Sequence, residues 1–356
     1  MRVLRGLLKV LGILILTVIV AAAGLIAWLS ATEYMPADVE TLTVYAGARH
    51  DTAQVGRRYT LASLNIGYGG LGRDEDFFMD GGKNVLPKDK AEVEDNLSGL
   101  VSALSLQDAD ICFLQETDTD SRRSFQINES AYFARGLAMG SAFAYNYRCP
   151  FVPIPWPPIG KVESGLTTLN NLAVENATRE ALPVPFSWPT RVANLKRCLL
   201  VERLPLADRD NELVLVNLHM EAYSTDDGRK KQMQVLSELL KAEYRNGNYV
   251  IAGGDFNQSF PGALQKYPLP ADASWVPGLL DENDLPEGFS FAYDISVPTC
   301  RALAAPYDGN RDTLVAYVID GFIVSANVKV NRVETVDLNF RNSDHHPVVM
   351  EFTLLP

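Results

Sequence analysis

The chain has no dense run of lysine or arginine, and its formal net charge is −12. Sequence-independent binding of nucleic acid relies on basic side chains that neutralise phosphates. That balance argues against such a role, although a local basic groove is compatible with an acidic protein. Cysteine is sparse, with four in 356 residues, which is too few for a disulfide framework, and no spacing resembles a zinc site. Cys112 lies in the apolar run "ADICFLQE" and reads as a packed thiol. Cys149, Cys198 and Cys300 suffice for one bridge, and no pair among them is singled out. Histidine is as scarce, yet two of the four stand side by side in "SDHHPVVMEF" (343–352).

What is present describes a folded chain, 47% hydrophobic and 21% charged, of a length that allows two domains or one large α/β or sandwich domain. Val10 to Leu29 form an uncharged run of 20 residues, as many as a helix needs to cross a hydrocarbon core. Arg2, Arg5 and Lys9 precede it, and Glu33, Asp38 and Glu40 follow. The positive-inside rule then leaves residues 1–9 in the cytoplasm and exports the rest, a single-pass membrane protein. The competing reading is a cleaved signal peptide, whose apolar part is usually ~7–15 residues long. The longer run and the poor cleavage context of "WLSATE" favour an anchor over residues 10–30. Residues 31–58 read as a polar tether, and 59–356 as the main domain.

Within that domain, 59–68, 111–114, 141–147, 166–177, 197–204, 212–219, 315–325, 328–338 and 347–354 read as strands, and 248–257 as a strand followed by a turn. Val93, Leu97, Leu100, Val101 and Leu104 recur at helical spacing, and Met233, Leu236, Leu240 and Tyr244 mark a second helix over 228–245. Gly67 to Lys90 reads as a long loop, of the kind that in a compact domain is functional or disordered. No internal repeat is visible, and dominant strands with interleaved helices suggest two packed sheets flanked by helices.

Several strands end in reactive groups: Asn65 in "SLNIG", Glu116 in "FLQET", His219 in "VNLHME", Asp255 and Asn257 in "GGDFN", Asp320 in "VIDGF", Asp344 and His345 in "SDHHP". Taken singly, each is an ordinary solvated strand end or turn cap. Taken in this order, they give the chain a resemblance over residues 59–356 to the endonuclease/exonuclease/phosphatase superfamily, carried most specifically by "GGDFN" and "SDHHP". The resemblance implies a four-layered α/β sandwich with two central, mostly antiparallel sheets. It also implies Mg²⁺ (with Mn²⁺ as a possible substitute) held by Glu116 with Asn65 beside it and Asp344 close by. Asp255 and Asn257 would orient the attacking water, His219 would bond the phosphate or protonate the leaving oxygen, and Asp320 would orient a catalytic His345. Adjacent side chains of an extended strand face opposite ways, so His346 reads as structural.

The expected activity is hydrolysis of a phospholipid headgroup or another small phosphoester by an extracytoplasmic domain, as a phosphodiesterase or phosphatase. An exported nuclease of the same fold is the alternative, and a non-catalytic binding protein is a third. "RCPFVPIPWPPIGKVES" has no counterpart in the resemblance. It reads as a proline-stiffened surface loop or, through Phe151, Ile154, Trp156 and Ile159, as a stretch that meets a bilayer interface. The oligomeric state is not legible.

Overall fold

The computed structural model describes residues 2–223 and 226–356, without the side chains of Arg2 and Asp226, so the start of the basic N-terminal segment lies outside the described residues. Its first element is a 30-residue helix, α1 (Arg2–Ala31). Among the described residues it is the one helix long and apolar enough to cross a membrane. Then come β1 (Val39–Thr41), β2 (Arg58–Asn65), α2 (Lys90–Ser105), β3 (Ile111–Asp118), α3 (Glu129–Leu137), β4 (Gly140–Val152), β5 (Gly160–Asn170) and β6 (Asn176–Ala181). The chain continues through β7 (Cys198–Leu206), β8 (Arg209–His219), α4 (Asp226–Arg245), β9 (Tyr249–Asp255), β10 (Phe289–Ala292), β11 (Asp320–Ser325), β12 (Val328–Thr335) and β13 (Val348–Leu354).

These strands form two sheets, one in the order β1-β6-β7-β8-β9-β11-β10 and the other β12-β13-β2-β3-β5-β4. Each contains one parallel pair, β8 with β9 and β2 with β3, and is otherwise antiparallel. A parallel pair needs a long crossover, and here α2 and α4 supply one to each sheet. Side-chain alternation then sorts the layers. On β2, Tyr59 and Leu61 enter the core between the sheets, where they join Phe113, Leu215, Ile251, Phe322 and Met350. Ala62 and Leu64 face the other way, against Val93, Leu97, Leu100 and Leu104 of α2 and Phe133 of α3. Leu236 and Leu240 of α4 cover Val214, Val216, Val250 and Ala252 on the opposite outer face. The result is the four-layered sandwich that the sequence suggested.

Some segments differ from the sequence reading. The stretch 166–177 holds the end of β5 and the start of β6 on different sheets, and 315–325 breaks before β11. Residues 31–58 are laid along the sandwich: β1 pairs with β6, Tyr45 bridges Ser141 and Ala53 bridges Leu206. All four cysteines are buried and free, so no bridge forms among Cys149, Cys198 and Cys300.

One inward-facing group on β7 is a carboxyl. Glu202 is fully buried and accepts a hydrogen bond from Asn170 Nδ2. Burial, only partly offset by that bond, pushes its pKa from 4.5 up to about 8. The fold therefore favours the protonated acid, whose stabilising contribution is complete below pH 4.5 and is lost as pH rises towards 8. Glu202→Gln keeps the volume and removes the charge. Relative to wild type, its melting temperature should climb steadily from pH 5 to pH 9, by an amount on the order of a few kcal/mol in stability. A pH-independent difference between the two proteins would mean that Glu202 ionises freely in the fold.

Candidate active site

The parallel pairs place the candidate residues together. Strands β2 and β3 end at Asn65 and just past Glu116, and β8 and β9 end at His219 and Asp255. Strand β11 runs antiparallel to β9 with Asp320 opposite Asp255, and β13 starts opposite Ser63, so His345 arrives at the same end. One sheet therefore carries Asn65, Glu116, Asp344 and His345, and the other carries His219, Asp255, Asn257 and Asp320.

Hydrogen bonds close the gap between the two sheets. Asn65 Nδ2 donates to Asp255 Oδ2 across it at 3.0 Å and to Glu116 Oε1 at 3.3 Å. Its Oδ1 accepts from the Gly67 amide. His345 Nδ1 lies 2.9 Å from Asp320 Oδ2, and His345 Nε2 is 3.9 Å from Asp255 and 4.0 Å from Asp344. His219 Nε2 is 3.4 Å from Asp255 Oδ2. The Asn257 amide closes a turn onto Asp255 Oδ1 at 2.8 Å, and its Nδ2 donates to the Met220 carbonyl. Below the site, Gln115 Nε2 donates to Asn217 Oδ1 at 2.8 Å, a buried cross-link between the sheets.

Local backbone explains two of the motifs. Glu116 adopts φ 56°, where the β3–β5 register slips between Leu114 and Thr117. Such conformations cost about 1–3 kcal/mol and cluster at functional sites. In "LNIG", Gly67 has φ 53°, and a Cβ there would lie 2.9 Å from Asp344 Oδ1. In "GGDFN", a Cβ on Gly254 would lie 2.0 Å from the Leu218 carbonyl, at φ 141°.

Electrostatics separate the groups. Burial by itself disfavours an imidazolium at His345, but Asp320, with Cys300 and Asp344 beyond it, outweighs burial and holds the ring well above the ordinary histidine value. Burial followed by the Arg197 cation depresses His219 well below that value. Burial and the Asp320 charge push Asp255 up to about 7. Burial, opposed by His345 and helped by Glu116, pushes Asp344 up to about 6. Hard carboxylate oxygens crowded in this way suit a divalent cation such as Mg²⁺. Glu116 is the least buried of the set, and Asn65 holds it by its nitrogen, with its own oxygen turned to the backbone.

His346 points elsewhere. Its Nδ1 lies 2.9 Å from the Pro298 carbonyl, its Nε2 accepts from the Phe340 amide, and its ring stacks on Phe340 at 3.8 Å. Burial lowers its pKa to about 4, so it packs as a neutral ring.

Sequence reasoning missed two arginines beside this cluster, Arg197 buried and Arg123 half-buried. Arg197, last residue of the basic stretch "RVANLKR", pairs with Glu221 and donates to the His219 carbonyl. Arg123 grips Asp118 through two bonds of 3.0 Å and stacks 3.7 Å over Tyr68. A basic cluster in the sequence hinted at the first, and nothing local marked the second.

The model of the Endonuclease/Exonuclease/phosphatase family matches residues 62–345. Among solved structures, the chain is similar to an endonuclease/exonuclease/phosphatase from Beutenbergia cavernae DSM 12333. The TM-score is 0.58 at 15% identity, over 84% of this chain and 72% of that one. It is also similar to D. rerio TDP2 complexed with a single-strand DNA product, with TM-score 0.51 at 17% identity, covering 83% and 99% of the two chains. ANGEL2, a 2',3'-cyclic phosphatase in complex with adenosine-2',3'-vanadate, gives TM-score 0.50 at 16% identity, covering 90% and 99%. Comparison with curated proteins gives no match.

Proposed function

Because the chain belongs to the endonuclease/exonuclease/phosphatase family, whose members are metal-dependent phosphoester hydrolases, we propose that it is a Mg²⁺-dependent phosphodiesterase or phosphatase. Its substrate is a lipid headgroup or another small phosphoester, and α1 tethers the catalytic domain on the extracytoplasmic side of a membrane. The observation that carries this reading is the meeting of two half-sites, Asn65 with Asp255 and His345 with Asp320, beside the carboxylates of Glu116 and Asp344.

Glu116 and Asp344, with Asn65 beside Glu116, would hold Mg²⁺ or, as a substitute, Mn²⁺. When bound, the cation polarises a phosphoryl oxygen and neutralises charge that grows in the transition state. The protein groups divide the remaining work. Asp320 fixes the His345 tautomer through Nδ1, which leaves Nε2 as the atom that exchanges a proton. Asp255, held in place by the Asn257 amide and Asn65, orients the attacking water. His219, neutral and beside Arg197, donates to the phosphate.

A second reading, an exported nuclease, is favoured by the likeness to TDP2 in complex with a DNA product. The net charge of −12 weighs against it. The deciding experiment is a panel with Mg²⁺: plasmid DNA, RNA, sphingomyelin, phosphatidylinositol phosphates and a bis-aryl phosphodiester. The proposal expects turnover of the diester or a lipid, abolished by EDTA. Turnover confined to DNA or RNA would replace it with the nuclease.

A further inference from the structure

The last turns of α1 are held by the domain. Leu25 and Leu29 pack with Tyr147, Cys149, Val152, Ile159 and Val162 of the β4–β5 hairpin and with Val192 and Ala193 of the β6–β7 connection. Trp188 Nε1 donates to Ser30 Oγ at 3.1 Å. Just beyond, Glu33 is buried between Arg191 at 3.1 Å and Lys196 at 3.2 Å.

Strand registers locate this junction. Strand β5 meets β3 with Ser164 opposite Asp118, two residues past Glu116. The β4–β5 hairpin then continues past the end of β3, with Val152 opposite Gly160. Four residues further along the strand is about 13 Å beyond that level. Leu199 pairs with Leu218, so the β6–β7 connection leaves the sheet level with His219. Both segments that grip α1 therefore rise from the catalytic end of the sandwich.

Their tips are apolar and uncovered. Ile154 is 74% exposed, Trp156 88% and Trp188 59%. The length of α1 says what covers them. Its uncharged run of 20 residues measures about 30 Å as a helix, the thickness of the hydrocarbon core. Leu25 and Leu29 belong to that run and already touch the domain. The run can fill the bilayer only if the hairpin base lies at the depth of the outer leaflet's edge, where tryptophan is favoured.

We propose that the catalytic end of the domain is seated on a lipid bilayer, with Ile154, Trp156 and Trp188 in its interface. The site then opens towards phosphoesters carried by the membrane. The proposal rests on α1 as the membrane span and specifies the substrate class of the function proposed above.

The test uses the full chain in phosphatidylcholine vesicles that carry a brominated acyl chain, which quenches tryptophan at short range. Wild type should be strongly quenched, and the W156F/W188F variant should lose a large share of the quenchable signal. An unchanged quenched fraction would overturn the seat, as would recovery of the protein in the soluble fraction without α1. The I154S/W156S/W188S variant should hydrolyse soluble bis(p-nitrophenyl) phosphate in detergent as wild type does. On vesicle-borne hexadecyl p-nitrophenyl phosphate it should fall about tenfold or more; equal loss on both substrates, or on neither, would refute the orientation. An inactive wild type that is still quenched through Trp156 and Trp188 would fail the phosphoesterase reading and leave the seat standing.

Discussion

Glu116→Gln should abolish most turnover and leave the melting temperature unchanged. The substitution keeps volume and removes one carboxylate charge. Glu116 is not fully buried, and its side-chain partner Asn65 Nδ2 can still donate to a glutamine carbonyl. Residues that merely support a metal ligand are worth about 10–100-fold in affinity or activity, so losing a ligand should exceed roughly 10²-fold in kcat. EDTA should silence wild type, and Mg²⁺ or Mn²⁺ should restore it, whereas added metal should rescue the variant poorly. Full activity in EDTA would remove the metal from the mechanism. A large fall in melting temperature with activity retained would make Glu116 a structural residue.

The two adjacent histidines should separate as sharply. His345→Asn is expected to cost about 10²–10⁴-fold in kcat, the range of general acid–base catalysis, with little change in stability. Asp320→Asn should act on the same step, because it removes the carboxylate 2.9 Å from Nδ1. The double variant should then be little worse than either single one, as expected for groups that act as a unit. His346→Ala should keep most activity and lose stability instead, since it deletes the ring stacked on Phe340 and the partner of a buried amide. An active His345 variant beside an inactive but folded His346 variant would shift the catalytic position by one residue.

The candidate site was more legible in sequence than the fold that presents it. Asn65, Glu116, His219, Asp255, Asp320 and His345 each follow or open an apolar strand, and strand ends gather because parallel pairs must terminate together. Gly67 of "LNIG" and Gly254 of "GGDFN" stand where a Cβ would collide with Asp344 and the Leu218 carbonyl. Strand order was not legible, because pairing between β2 and β13 joins residues almost 300 positions apart and leaves no local pattern. The break between β5 and β6 was hidden because "LTTLNNLAVENA" keeps apolar residues recurring across both sheets and has no Gly or Pro to mark the turn. Arg123 escaped notice because its importance lies in contacts with Asp118 and Tyr68, which only the folded chain brings together.

The division of the candidate site between two sheets makes the hydrophobic core a spacer gauge for its geometry. Asn65 reaches Asp255, and His345 reaches Asp320, only at one separation of the layers. That separation is set below by Phe113, Ile251, Phe322 and Met350 and pinned by Gln115 against Asn217. Thinning the core by one methylene, at a cost of about 0.5–1.5 kcal/mol in stability, should shift one sheet against the other and loosen the Asn65–Asp255 and His345–Asp320 contacts. Changes in activity should therefore appear in this protein at positions that no substrate ever touches.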